Sequence, residues 1–155
     1  MEFYIGIDPG SKGYMCVMDG DRNLSFYPLE EMPVVRSVLR DLAFHKCVCC
    51  KEKVASMPGQ GVKSVWTFAE LNGRILEALE ENGIPYQEVT PAKWKGEFGI
   101  NLGRGATKTE KKDKSIETAK KLFPNVMFRR TEKCRVDDDN MAEAALMAMY
   151  ASRRL

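Results

Sequence analysis

The chain opens on an apolar run, Phe3-Tyr4-Ile5-Gly6-Ile7, which predicts a buried strand. Gly13 turns the chain into a second predicted strand, Tyr14–Met18, closed by Asp19-Gly20-Asp21. Leu24–Tyr27 predicts a third and completes an antiparallel meander. Pro33 can open a helix reaching Phe44, with Val34, Val35, Val38, Leu39 and Leu42 at helical spacing. The pattern returns to strand over Lys46–Ala55, then breaks at the loop Met57-Pro58-Gly59-Gln60-Gly61. Ser64 to Asn82 predicts a long helix with Phe68, Leu71, Ile75, Leu76 and Leu79 on one face, stopped by Gly83 and Pro85. Tyr86–Val89 predicts a short strand, and Thr90-Pro91 starts a short helix carrying Trp94. A glycine-rich loop over 96–106 leads to a basic helix, Thr107–Phe123, stopped by Pro124. The last helix begins near Asp137–Asp139 and runs to Arg153. Three strands, helix, strand, helix, strand and then helices describe an α/β layout with a mixed sheet.

Composition narrows the class. A length of 155 residues with 44% hydrophobic content fits one domain with a proper core. No apolar stretch approaches the roughly 20 residues of a membrane span. The chain begins directly on strand-like sequence, so no signal peptide is expected. Five cysteines, an odd number, argue against a secreted disulfide framework and for a reducing cytosol. Strand alternation sends Cys47 and Cys49 to one face and Cys50 to the other, as small core residues rather than zinc ligands. The lone histidine, His45, is expected at the surface. The net charge of +2 hides an asymmetry: Lys93 to Arg135 carries 13 Lys/Arg against 5 Asp/Glu, while the segments on either side are net acidic. A basic third beside acidic patches suits a polyanion binder that also holds divalent cations.

The acidic residues carry the chemistry. Asp8 sits at the mouth of the first strand, before Pro9-Gly10-Ser11-Lys12-Gly13, where a carboxylate is costly unless a cation or phosphate needs it. Glu52 falls inside a strand pattern that disfavours it; flanked by Lys51 and Lys53, it reads on its own as solvent-facing charge on an edge strand. In Asp137-Asp138-Asp139-Asn140-Met141-Ala142-Glu143, helix capping accounts for one or two aspartates. It does not account for Glu143 among small apolar residues. At roughly 100° per residue, Asp139 and Asn140 share the face of Glu143, while Asp137 and Asp138 fall away from it. Asp8, Glu52, Asp139 and Glu143 together form an oxygen-only donor set suited to Mg²⁺ or Mn²⁺. Two such ions can orient water and stabilise the leaving oxygen in phosphodiester cleavage.

These motifs match a family. Ile5-Gly6-Ile7-Asp8-Pro9-Gly10-Ser11 resembles the opening strand of RuvC-type Holliday junction resolvases, and Ala142-Glu143-Ala144-Ala145-Leu146 resembles their closing acidic helix. Glu52-Lys53-Val54 running into Met57–Gly61, then Thr90-Pro91-Ala92-Lys93-Trp94-Lys95 and Lys120-Lys121-Leu122-Phe123-Pro124, are similar to the phage branch of that family. The resemblance spans nearly the whole chain in order. It implies a ribonuclease-H-like fold over residues 1–155, with a five-stranded sheet of three antiparallel and then parallel strands flanked by helices. It further implies a homodimer acting in the cytoplasm of a bacteriophage's host, and Mg²⁺-dependent nicking of branched DNA with two ions per site. The acids of the family map onto Asp8, Glu52 and the last helix. The bacterial members carry two aspartates three apart there; here Asn140 lies three before Glu143 and Asp139 four before it, so Asp138, Asp139 and Asn140 compete for one role. The bacterial members also place an aromatic three residues after the second acid, where this chain has Ala55. Trp66 and Phe68 are possible substitutes, with core packing the favoured reading of both.

Lys108, Lys111, Lys112 and Lys114 are candidate DNA-phosphate contacts, and Lys112 or Lys114 a candidate to reach the active site. Arg129 and Arg130 are weaker candidates. Gly59 and Gln60 are candidate DNA contacts in the loop after Glu52. Three other functions compete. An ATP-handling protein of the actin or sugar-kinase class opens similarly but needs two such lobes. A non-catalytic junction-binding module predicts a missing carboxylate, and none is missing. A nuclease on RNA–DNA hybrids shares the metal chemistry.

Overall fold

The first apolar run forms β1 (Glu2–Ile7), and two tight reversals add β2 (Tyr14–Asp19) and β3 (Leu24–Pro28) as an antiparallel meander. A 3-10 turn leads into α1 (Met32–Leu42), and the chain returns as β4 (Lys46–Glu52), parallel to β1. The next crossover, α2 (Val62–Glu81), delivers β5 (Tyr86–Val89) parallel to β4. Three helices follow: α3 (Pro91–Glu97), α4 (Lys108–Leu122) and α5 (Asp139–Arg154). The strand order is β3-β2-β1-β4-β5, a mixed five-stranded sheet. Short turns can join only antiparallel neighbours, so α1 and α2 fall on the connections between consecutive strands that run the same way. This computed structural model describes residues 1–155 throughout.

Side-chain alternation splits the core in two. Ile5, Ile7, Met15, Val17 and Cys49 face α1 and the C-terminal half of α2. Tyr14, Cys16, Met18 and Cys50 face α5, with α3 and α4 beside it. Asp8 and Glu52 have the even-numbered parity of Gly6 and Cys50, so both belong to the α5 side. The cysteines divide as expected, Cys47 and Cys49 on one face and Cys50 on the other, and all five are free thiols. His45 is exposed, its ring edge-on to Phe3.

One glycine sets how closely α5 lies on the sheet. A Cβ at Gly6 would stand 2.0 Å from the Ala144 carbonyl oxygen and 2.3 Å from the Ala148 amide nitrogen. Both are backbone atoms, so no side-chain rotation relieves the clash. The helix answers with small residues, Ala144, Ala145, Ala148 and Ala151, all fully buried.

The structure corrects three expectations. The fourth strand ends at Glu52, not Ala55, because its partner β5 ends at Val89 and the amide of Lys53 makes the last bond across, 2.8 Å to the Val89 carbonyl. That strand is no edge: it lies between β1 and β5, and Lys51 is wholly buried. Trp66 is not a core residue. Leu71, Ile75, Ala78 and Leu79 turn the packed face of α2 to the sheet, and Trp66, about 180° round the helix from Ile75, is 75% exposed. Phe68 is half-buried.

The Gly6 contact yields a test. Gly6→Ala should destabilise the protein by about 3 kcal/mol or more, since overpacking against backbone has no cheap relief. Gly20→Ala, where a Cβ meets nothing within 4 Å, should stay within about 0.5 kcal/mol of the parent in urea denaturation.

Candidate active site

Asp8 follows the last residue of β1, and its amide donates to the Tyr14 carbonyl at 3.1 Å. The turn beyond it is tight: a Cβ at Gly13 would lie 1.9 Å from the Asp8 carbonyl oxygen, so only glycine closes it. The Asp8 side chain is buried, and its Oδ2 has no hydrogen-bond partner in the protein. An orphaned buried carboxylate oxygen is costly. Burial drives the Asp8 pKa well above its ordinary value, and the carboxylates of Glu143, Glu52, Asp139 and Asp138 push it further the same way.

Glu52 ends β4 on the same face. Its Oε2 accepts from the Trp94 indole N–H at 2.8 Å. Burial raises its pKa, the Trp94 bond opposes that rise, and the Glu143 charge adds to it. Its neighbour Lys51 points to the other face and ties down the end of the strand. The Lys51 ammonium donates to Glu88 Oε2 at 2.8 Å and to the Glu52 carbonyl at 3.0 Å.

The third side comes from α5. Asp138 is its N-cap, with Oδ1 accepting from the amides of Asn140 at 2.8 Å and Met141 at 3.3 Å. Asp137 pairs with Lys120 and Arg129. Capping and ion pairing thus occupy two of the three aspartates. Asp139, the first helical residue, lies 3.6 Å from Lys112 Nζ. Glu143 Oε1 is approached by the Ser115 hydroxyl at 3.1 Å and by Lys95 Nζ at 3.3 Å.

The four predicted carboxylates therefore converge on one end of the sheet without closing on one another. No three His, Cys, Asp or Glu side chains are gathered tightly enough to hold an ion among them. Like charges repel, and Glu52, Asp139 and Glu143 are each held by a donor of their own. The donor chemistry nevertheless fits a hard divalent cation: carboxylate oxygens only, one of them buried and unpartnered.

The basic candidates separate. Lys112 reaches Asp139, whereas Lys114 turns to Glu117 at 3.5 Å. Lys108 and Lys111 are exposed. Lys111 lines a cleft of about 310 Å³ with Lys95, Arg104, Asn101 and the turn at Gly103. Arg129 and Arg130 are paired away from the acids, with Asp137 and Glu30. Gly59, with φ of +82°, and Gln60, whose Oε1 accepts from the Met57 amide at 3.1 Å, form an exposed turn. Sequence reasoning passed over Trp94, Lys95 and Ser115 as site residues. The signal available for the first two was their adjacency in one short helix; for Ser115, only a small polar residue on the apolar side of a basic helix.

No protein-family model matches the chain, and no curated protein matches it in sequence. Solved structures do. T. thermophilus RuvC in complex with Holliday junction substrate superposes with a TM-score of 0.63 at 14% identity, over 99% of this chain and 97% of that one. The fold is that of the RuvC-type resolvases. Fowlpox virus resolvase, in a complex with Holliday junction DNA, superposes with a TM-score of 0.54 at 17% identity, over 99% of both chains. A second T. thermophilus RuvC structure gives 0.54 at 18% identity, over 94% and 90%. The resolvase fold thus accounts for nearly the whole chain at a sequence likeness too low to carry individual residues across.

The buried Asp8 predicts a pH signature. A carboxyl whose folded pKa is raised holds its proton in the folded state when the unfolded state has lost it. Stability of the metal-free protein should therefore fall as pH rises above the ordinary value of 3.8. Asp8→Asn should melt higher than the parent at pH 7 in EDTA, and the difference should vanish near pH 3. A lower melting temperature for Asp8→Asn at pH 7 would contradict the burial cost.

Proposed function

We propose that this chain is a structure-selective endodeoxyribonuclease that nicks Holliday junctions and other branched DNA, as one nuclease domain over residues 1–155. The observation that carries the reading is the convergence of Asp8, Glu52, Asp139 and Glu143 at one end of a resolvase-type sheet, with Asp8 Oδ2 buried and unpartnered. These four residues would hold Mg²⁺ or Mn²⁺, two ions per site. When bound, such ions polarise a phosphodiester and make water nucleophilic near neutral pH.

The chain's own groups do the rest. Lys95 keeps a positive charge beside Glu143, at the rim of the cleft shared with Arg104 and Lys111. That cleft accepts a backbone phosphate next to the acids, and cations there neutralise it without reading sequence. Lys108 and Lys112 extend the positive surface along α4. The turn at Gly59 and Gln60 projects from the end of β4, so DNA lying over Glu52 meets it. A resident of the phage-infected bacterial cytoplasm would meet branched replication and recombination intermediates, the substrate this reading requires.

Two nicks across a four-way junction need two sites related by symmetry, and α2 supplies a surface for a second copy. Val62 and Trp66 are 85% and 75% exposed, and with the exposed Ala69 and Gly73 they form a stripe at helical spacing. The small residues allow close approach of a symmetry-related helix, and the two large ones supply the buried area.

The defining experiment incubates the protein with a labelled four-way junction, a linear duplex and an RNA–DNA hybrid, each with Mg²⁺ and with EDTA. Paired nicks on the junction alone are expected. Asp8→Asn should slow them at least a hundredfold, the rate equivalent of about 3 kcal/mol. Equal cutting of linear duplex, preference for the hybrid, or binding without cutting would each replace the reading. Light scattering should give twice the chain mass for the parent. Trp66→Glu should give monomers that nick one strand without pairing the cuts.

A further inference from the structure

Trp94 is one of two tryptophans and is completely buried, whereas Trp66 lies in solvent. Its indole N–H is a donor only, with no lone pair to offer a cation. A buried indole N–H requires an acceptor, and here that acceptor is a candidate ligand, Glu52 Oε2 at 2.8 Å. The placement follows from the register of the sheet. Glu52 pairs with Val89, the last residue of β5, and the chain passes at once into α3. Thr90 caps that helix, its carbonyl receives the Trp94 amide at 3.2 Å, and the ring comes down over the end of β4. The other end of α3 is tied by the Ile100 amide to the Lys95 carbonyl at 3.1 Å. Adjacent residues of one short helix thus hold one acid from the sheet and one from α5: Trp94 on Glu52, Lys95 on Glu143.

We infer that Trp94 is a positioning residue that fixes the rotamer of Glu52 and so sets how its carboxylate is presented to a divalent cation. This rests on the metal-dependent nuclease reading above. An uncharged donor suits the task. A lysine there would compete with the cation by charge, and an apolar residue would leave the carboxylate free to swing. An indole locks one oxygen and leaves the charge of the carboxylate uncancelled. Groups that orient metal ligands in this way affect metal affinity by about 10–100-fold.

The test uses the 155-residue chain carrying Trp66→Phe, so that Trp94 is the only indole. Mg²⁺ alone is titrated, read by calorimetry and by Trp94 emission. Emission should change saturably, with the midpoint of the calorimetric curve, and should not respond in Trp66→Phe/Glu52→Gln. Trp94 is then replaced by 3-benzothienylalanine, which keeps the shape and apolar bulk of the ring with sulfur in place of N–H. Trp94→Phe provides a second variant should that protein not fold. Far-ultraviolet circular dichroism and junction binding in EDTA should match the parent, while the Mg²⁺ dissociation constant rises about 10–100-fold. Unchanged Mg²⁺ affinity in the folded variants, with the parent binding normally, overturns the role of Trp94 and leaves the nuclease reading standing. A parent that gives no Mg²⁺ heat and no emission change overturns both.

Discussion

The closeness of α5 to β1 at Gly6 is the constraint on which the rest of the molecule depends. Backbone touches backbone there, with no room for a Cβ. That approach requires small residues along the facing side of α5, which the alanines at 144, 145, 148 and 151 supply. It also sets the depth at which Glu143 meets the sheet, one residue before Ala144. Asp8 lies two residues past Gly6 on the same face. The packing that stabilises the core is therefore the packing that brings a helix acid to a strand acid.

Bringing acids together has an electrostatic cost, and the structure shows how it is distributed. Asp8 bears most of it: buried, one oxygen unpartnered, its proton held well above the ordinary range. Glu52 is relieved by a neutral donor, Trp94, and Glu143 by a hydroxyl and a lysine. Asp138 is engaged by the amides of its own helix. The gradient from unrelieved to fully relieved marks where a cation would gain most. Stability alone would not retain such an arrangement, since an apolar residue at position 8 would suit the surroundings better.

Much of this was legible in one dimension. Runs and breaks in hydrophobicity, with proline and glycine stops, located the five strands and the five α-helices, because burial on one face imposes a period of two or 3.6 on the residues themselves. The mixed sheet was legible too, since short turns and long crossovers differ in length. Asp8, Glu52 and Glu143 stood out because each sat where its surroundings asked for an apolar residue, and Asp139 because it shares the helix face of Glu143. Glu52 read alone as an edge residue because strand order is not written in β4; it depends on β5 joining the far side after α2 has crossed. Trp66 read as core from its residue type alone, although it lies about 180° round α2 from Ile75 and so off the face that packs on the sheet. Asp139 was set apart by the face it shares with Glu143, and the contacts of the other two came only with the fold: Asp138 caps α5 and Asp137 meets Lys120 and Arg129.

What the sequence by itself determined is the set of elements, their faces and the inventory of acids and bases, all properties of residues within a few positions of one another. What only the tertiary structure decided is pairing. Trp94 meets Glu52 across 42 residues and Ser115 meets Glu143 across 28. Neither contact has a local signature, because a hydrogen bond between side chains depends on where two distant backbones are brought, and the sheet register and the Gly6 contact set that.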